Sequence, residues 1–179
     1  MKKIILCLIG VLYTCMLHAD GIGTWKAYMA YHDVQQIEQA GNKLYVLASD
    51  NLYDYNTTDN SIQTYDKVNA LSDCGIDHIA WCNAAKRLVI IFQNQNIDLL
   101  DEKGTVVNIS DYYSKSMTED KTVYSVYIQD HFAYLCTGFG IIKLNVRDAE
   151  IADTYLLGFR TDYCYIADGN IYAASSTHG

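Results

Sequence analysis

The sequence predicts an all-β protein whose main part is a partial β-propeller, with about three and a half four-stranded blades of a longer ring. Three observations lead to this prediction. A pattern of short strands and turns repeats with a period of roughly 44 residues. Helical periodicity is nearly absent after the N-terminal segment, and turn residues separate the apolar runs at regular intervals. A repeat of this length favours propeller blades over a β-solenoid.

The N-terminal segment, residues 1–19, predicts a secretory signal peptide. Two lysines near the start precede an apolar run over residues 4–16, and the small residue Ala19 follows shortly after it. This order is that of an export signal, and the apolar run is shorter than a membrane span. An uncleaved N-terminal anchor and a lipoprotein cleaved ahead of Cys15 are the alternatives.

The repeat aligns four apolar anchor residues that occupy the same place in each unit: Leu44, Leu88, Phe132 and Ile171. Asn, Asp and Gly residues near the anchors supply turns, because they tolerate positive φ. The predicted propeller domain covers residues 20–179, with blades near 34–70, 76–112, 122–160 and 163–179, the last of them truncated.

Each unit is predicted to contain four short strands joined by tight turns. The first strands are predicted over residues 34–37, 79–82, 123–128 and 163–166. Only residues 33–40 and 114–122 are compatible with a turn of helix. A single β-sandwich with chance similarity between strands is the alternative fold, and the shared register of several features at each anchor argues against it.

The composition restricts the classes of partner. The net charge is −8, and the sequence contains no cluster of lysines and arginines, which argues against nucleic acid or an anionic membrane face as the partner. Sixteen tyrosines, many in alternating settings, suit half-exposed strands and surfaces that contact carbohydrate or protein.

Four cysteines follow the predicted signal peptide: Cys74, Cys82, Cys136 and Cys164. Export permits disulfides, and four cysteines allow three pairings. Their spacing is not that of a metal site. We expect buried apolar thiols in strands, with a Cys74–Cys82 disulfide as the alternative.

Residues with catalytic or metal-binding chemistry form no recognisable motif, so we expect a non-catalytic protein without a cofactor. One histidine falls at a different point of each unit, which predicts turn or surface histidines: His32, His78, His131 and His178. The acidic residues that most resemble a catalytic or calcium-binding group are Asp54, Asp59, Asp98 and Asp101. We expect them to accept hydrogen bonds in hairpin turns, with Asp98 facing solvent.

The candidate binding loop is the longest polar link between units, residues 111–121. Functional residues of rigid folds are commonly on such loops, and two adjacent aromatic residues can stack on a sugar or peptide. Tyr112, Tyr113 and Lys115 are therefore the candidate binding residues. The alternative is a solvated connector.

Several segments resemble a known family: Trp25 with Tyr28, residues 31–32, 52–56, 69–73, 96–100 and 137–141. Together they resemble the N-terminal propeller of PorZ-type proteins of Bacteroidetes, which is related to the extracellular propellers of hybrid two-component sensors. The resemblance covers essentially the whole mature chain. One departure is Ala70, where the family usually has Gly, so we expect a different backbone conformation at that turn. The number of units also indicates a fragment of a longer protein.

The resemblance implies an exported binding or scaffold component of the type IX secretion system, in the periplasm or at the outer-membrane surface. It implies protein partners from that machinery or a surface polysaccharide. The alternative function is the ligand-sensing propeller of a hybrid two-component regulator, and an enzyme built on a propeller is a third.

Overall fold

The computed structural model describes residues 27–178. The predicted signal peptide, Trp25, Cys7 and Cys15 lie outside the described residues. Within residues 27–178, no helix is long and apolar enough to cross a membrane.

The strands form successive antiparallel sheets in which each strand pairs with the next one along the chain. Blade 1 contains β1 (Val34–Ala40), β2 (Lys43–Ala48), β3 (Asn51–Asn56) and β4 (Ile62–Tyr65). Blade 2 contains β5 (Ile76–Cys82), β6 (Arg87–Phe92), β7 (Ile97–Asp101) and β8 (Val106–Ile109). A short helix, α1 (Asp111–Ser114), leads to blade 3, with β9 (Val123–Gln129), β10 (Phe132–Thr137), β11 (Gly140–Asn145) and β12 (Glu150–Leu156). Blade 4 is a hairpin of β13 (Tyr163–Ala167) and β14 (Asn170–Ala174).

The first strand of each blade contacts the first strand of the next one, which places β1, β5, β9 and β13 innermost. The four anchor residues all lie in the second strand of their blades. Three four-stranded sheets and a following hairpin confirm the predicted all-β partial propeller.

The hydrophobic core lies between blades, and the sheet of blade 2 buries side chains on both faces. In β6, Leu88, Ile90 and Phe92 pack in one cluster with blade 1, while Val89 and Ile91 pack in another with blade 3. A strand buried on both faces has a continuous apolar run instead of alternation.

Neither of the two stretches that are compatible with a helical turn forms one, and the strand predicted over residues 34–37 is confirmed. Residues 34–40 form β1, where alternate polar side chains turn towards blade 2: Gln36 Oε1 accepts from the Ile79 N–H (2.8 Å) and Glu38 Oε2 from the Trp81 N–H (3.2 Å). The stretch 114–122 is irregular beyond Ser114, and the single helical turn precedes it. The polar residues of β1 satisfy backbone donors of the neighbouring blade, which explains their helix-like composition.

Candidate functional site

The connections between blades gather at one end of the sheets, which we call the linker end. In a four-stranded meander the linker to the next blade and the turn between the second and third strands lie at the same end. Backbone hydrogen bonds join the linkers to these turns and strand ends: Gln93 N–H to Gly75 O (2.9 Å) within blade 2, and Ile76 N–H to Asp50 O (3.0 Å) and Thr161 N–H to Thr137 O (2.9 Å) to the preceding blade. The linker end is therefore an ordered surface.

The first linker follows blade 1 and contains Ala70, the position at which the sequence departs from the family that it resembles. Ala70 does not adopt a positive φ, and its N–H donates to Asp66 O at 2.9 Å. Asp66 Oδ1 also accepts from the N–H groups of Val68 and Asn69. This turn does not require a glycine, because its conformation is allowed for any residue.

The three predicted binding residues occupy different environments in the second linker. Tyr112 is 1% exposed, and its hydroxyl donates to Lys121 O at 2.6 Å. Tyr113 is 51% exposed, and Lys115 is exposed beside it. The Lys121 ammonium donates to the carbonyl oxygens of Tyr113 (2.9 Å) and Lys115 (3.1 Å), which holds α1 in place.

Tyr112 anchors the second linker to blade 3. Its ring meets Phe139 edge-on at 6.4 Å between ring centres, and burial raises the pKa of its phenol. A cavity of about 220 Å³ lies beneath the linker, lined mainly by Tyr112, Lys115, Met117, Phe139, Ile142 and Ile151. The structure thus brings two of the three predicted residues to one cavity wall and leaves Tyr113 on the surface.

A second group of polar residues at the linker end was not predicted. The Arg160 guanidinium lies 3.7 Å from the centre of the Tyr124 ring, and its Nε donates to Asp162 Oδ1 at 2.6 Å. The Tyr124 hydroxyl donates to Asp120 Oδ2 at 2.6 Å. These residues adjoin a cleft of about 490 Å³ between blades 3 and 4, which we call the arginine cleft; its further lining includes Tyr163, Ser175 and Ser176.

The acidic groups of the arginine cleft are held in their ionised form. The hydrogen bond from Tyr124 lowers the pKa of Asp120, and the same bond raises the pKa of Tyr124. Hydrogen bonds from Ser176, followed by Arg160, lower the pKa of Asp162. The cleft therefore presents an aromatic ring, the Asp162 carboxylate and a guanidinium together, a combination suited to hydrogen-bonding ligands with a flat apolar face.

Close backbone packing positions Asp120 at the cleft. A side chain at Gly138 would place its Cβ 2.6 Å from both Cβ and O of Asp120, so only glycine allows this approach. Gly138 belongs to residues 137–141, one of the segments in which the sequence resembles a known family. Tyr124 lies in the first strand of blade 3 and Arg160 in the linker after its last strand, so no local pattern indicated that they meet.

The prediction that Asp98 faces solvent is wrong. Asp98 is fully buried, with Oδ2 accepting from the Ser72 N–H (2.8 Å) and Oδ1 from the Asn108 side-chain amide (2.9 Å). β7 is buried on both faces, so this polar position in an apolar strand points to the blade 1 interface. The carboxylate ties the first linker to blade 2.

The other three aspartates have separate structural partners. The turn prediction is wrong for Asp54, which lies in β3; it is buried and accepts from Lys43 Nζ (2.8 Å) and from the Tyr65 hydroxyl (2.6 Å). Turn hydrogen bonds are confirmed for Asp59, which accepts from the Ser61 N–H (3.0 Å), and for Asp101, which accepts from the N–H groups of residues 103 and 105. The four carboxylates do not converge on one site.

The histidines are separated as well. His78 is half-buried in β5, where its Nε2 lies 2.9 Å from Val123 O, so the prediction of a turn or surface position is wrong for this residue. His131 packs on Phe132 and His178 on Phe159. Over the part of the chain that the structure describes, no three His, Cys, Asp or Glu side chains are grouped as a metal site would require.

Three cysteines are buried as predicted, namely Cys82, Cys136 and Cys164, whereas Cys74 is exposed in the first linker, contrary to the prediction. The alternative Cys74–Cys82 disulfide is wrong, because β5 lies between the two residues. Its seven residues extend over roughly 20 Å, and a disulfide requires Cα atoms within about 7 Å.

Comparison with protein families gives a match over residues 44–179 to the family described as TSS9, PorZ, N-terminal beta-propeller domain. A search of the curated proteins gave no match.

Among solved structures, the chain is similar to PorZ of Porphyromonas gingivalis, described as an essential bacterial surface component of the type IX secretion system. The identity is 28% and the TM-score 0.78, over 87% of this chain and 22% of that one. It is also similar to the extracellular domains of two putative hybrid two-component systems of B. thetaiotaomicron. For BT4673 the identity is 12% and the TM-score 0.63, over 78% of this chain and 19% of that one. For BT3049 the identity is 16% and the TM-score 0.60, over 87% of this chain and 23% of that one. The chain thus spans about a fifth of the length of these proteins.

Proposed function

We propose, from the premise that this chain belongs to the PorZ N-terminal β-propeller domain family, that it serves as an exported, non-catalytic binding component of a type IX secretion system. The observation that carries the proposal is the similarity to PorZ, at 28% identity over 87% of the chain. The family match over residues 44–179 supports it independently.

The binding role is supported by the ordered linker end. Successive blades are joined there by backbone hydrogen bonds, so a bound partner meets a surface that is already arranged. Tyr113 and Lys115 project from the second linker, and the arginine cleft lies one blade further along. Exposed tyrosine and arginine are the residue types most enriched in protein contact surfaces.

We propose that Tyr113 and Lys115 contact the partner directly and that Tyr112 holds them in place. Lys121 contributes to the same positioning by binding the carbonyl oxygens of Tyr113 and Lys115. The partner is a protein of the secretion machinery, or a surface polysaccharide whose sugar rings stack on the exposed tyrosine. The acidic net charge of −8 disfavours nucleic acid.

The location we propose is the periplasm or the outer-membrane surface. The signal-like residues 1–19 support export, and the printed description of PorZ as a bacterial surface component supports the outer membrane. A sensor function in a two-component system has weaker support, because the similarity to those extracellular domains is 12% and 16% identical and shows the fold alone.

Gene deletion in the source bacterium tests the role in secretion. We expect that deletion leaves exported cargo unattached to the cell surface, and that the full-length wild-type gene restores attachment. If cargo is attached normally in the deletion strain and a polysaccharide-utilisation operon is no longer induced, the result would contradict the secretion role and support the sensor function.

Complementation with variants then tests the site. The Tyr113→Ser/Lys115→Gln variant should restore attachment poorly while the protein accumulates to the wild-type level. Lys103→Gln is the matched control, because Lys103 is an exposed lysine in the turn between β7 and β8, at the opposite end of the blade. Equal restoration by all variants would contradict the proposed contact surface.

A further inference from the structure

Two of the buried cysteines meet at the interface between blades 3 and 4. Cys136 is in β10 and is 0% exposed; Cys164 is in β13 and is 9% exposed. Both belong to the hydrophobic cluster that packs blade 3 against blade 4. The strands that carry them, β10 and β13, are in contact, and each thiol shifts the ionisation of the other.

The surrounding backbone explains why they meet. In the β9–β10 register Cys136 stands opposite Ser125, and the Ser125 hydroxyl donates to Asp162 O at 2.7 Å. Cys164 follows Asp162 by two positions along the chain. The contact between blades is therefore held on the linker side by a hydrogen bond that passes directly beside both cysteines.

The pairing is specific to these two residues among the cysteines of the described chain. Cys82 lies near the opposite end of its blade, where its thiol donates to Asp130 O at 3.3 Å. Cys74 is exposed in the first linker. The positions of these two leave Cys136 and Cys164 as the pair in contact.

We propose that Cys136 and Cys164 form a disulfide bond that joins blade 3 covalently to the first hairpin of blade 4. The bond is a modification site beyond the proposed binding function and does not depend on it. Its formation requires an external disulfide as oxidant, such as a thiol–disulfide oxidoreductase or glutathione disulfide, which is reduced to two thiols.

The exchange proceeds in two steps. The Cys164 thiolate, which is the more accessible, attacks one sulfur of the external disulfide and releases the first thiol as a thiolate. The Cys136 thiolate then attacks the Cys164 sulfur of the mixed disulfide, forms the interblade bond and releases the second thiol. Two protons leave the cysteines, and two electrons pass to the oxidant.

Accessibility and not acidity sets this order of events, because Cys164 is 9% exposed and Cys136 is fully buried. The hydrogen bond from Cys164 lowers the pKa of Cys136, while the same contact raises the pKa of Cys164. The pair therefore loses its first proton more readily than its second. Once Cys164 is bound to the oxidant, Cys136 is the nearby thiol that resolves the mixed disulfide.

Oxidation of the purified full-length protein tests the proposal without reference to its cellular role. The protein is produced reduced, incubated with glutathione disulfide, denatured, alkylated with N-ethylmaleimide and digested for mass spectrometry. We expect a cross-linked peptide pair containing Cys136 and Cys164, lighter than the two free peptides by two hydrogen atoms. Cys82 should be alkylated and serves as the internal reference.

Two further measurements make the result decisive. In a Cys74→Ser variant, which lacks the exposed thiol, the cross-link should form unchanged. In a Cys136→Ala variant, Cys164 should be able to form only a mixed disulfide with the oxidant. Hydrogen exchange in β13 and β14 should be about tenfold slower in the oxidised form. Full alkylation of both residues after oxidation, or a cross-link to another cysteine, would overturn the proposal.

Discussion

Replacing Asp98 by Ala tests the interpretation that one buried carboxylate holds the first linker to blade 2. The change removes the acceptor of two hydrogen bonds, from the Ser72 N–H (2.8 Å) and from the Asn108 amide (2.9 Å). Hydrogen bonds to a charged group contribute roughly 2 kcal/mol each, so their loss costs about 4 kcal/mol. Removing the buried carboxylate also removes its desolvation cost, which offsets part of this loss. We expect the free energy of unfolding to fall by about 2 to 3 kcal/mol.

The assay is urea unfolding of wild type and variants, followed by circular dichroism. At this chain length the expected loss corresponds to a melting temperature lower by roughly 5 to 10 °C. Hydrogen exchange gives the local readout: the Ser72 amide should lose protection selectively. Asp59→Ala is the matched control, because this exposed aspartate bonds only within its own turn, and its effect should stay within about 1 kcal/mol.

The isosteric Asp98→Asn variant separates charge from shape. An amide in this position sets an N–H donor against either the Ser72 N–H or the Asn108 amide, because both partners are donors. We expect a loss of about 2 kcal/mol from the free energy of unfolding. If Asp98→Asn has wild-type stability and the Ser72 amide remains protected, the linker is held by other contacts and the reasoning is refuted.

The remaining predictions concern a glycine, a tyrosine and an acidic cluster. Gly140→Ala should lower the free energy of unfolding by about 3 kcal/mol in urea titration, because the new Cβ overlaps the Tyr155 carbonyl oxygen at a φ of +146°; a loss below 1 kcal/mol contradicts this. Tyr112→Phe strands the Lys121 carbonyl and should cost about 1 kcal/mol by the same method, and unchanged stability would show that water replaces the hydroxyl. The pKa of Asp120 lies below its usual value, so its contribution to folding stability is complete above a pH of about 4 and is lost as the pH falls further. Thermal melts between about pH 6 and about pH 3, a range that spans the usual Asp pKa, should show a smaller fall in melting temperature for Asp120→Asn than for wild type. Identical falls contradict the assignment.

The fold was predictable because the repeat carries several features at once. Leu44, Leu88, Phe132 and Ile171 occur at regular spacing, and each lies in the second strand of its blade. The turns between strands were indicated by Asn, Asp and Gly residues. Such features depend only on local backbone preferences and on spacing along the chain, which a single sequence displays directly.

The burial of individual polar residues was not predictable in the same way. Tyr112 and Tyr113 are adjacent and chemically identical, yet one is 1% and the other 51% exposed. The difference arises from where Phe139 of the next repeat packs, which sequence spacing does not reveal. Tyr124 and Arg160 likewise lie far apart in the sequence, in the first strand of blade 3 and in the linker that follows its last strand, so their stacking depends on the path of that linker.

Two-sided burial of the sheets also bears on how the strand register is chosen. In β6 and β7 nearly every side chain is apolar and buried, so shifting a strand by one residue would exchange the two faces with little change in hydrophobic contact. Asp98 breaks this equivalence. After such a shift the carboxylate would point towards the apolar side chains of blade 3, including Leu135, at a cost of several kcal/mol. Asp98, the single charged residue of the buried β7 run, thus specifies the strand register, which hydrophobicity alone does not determine.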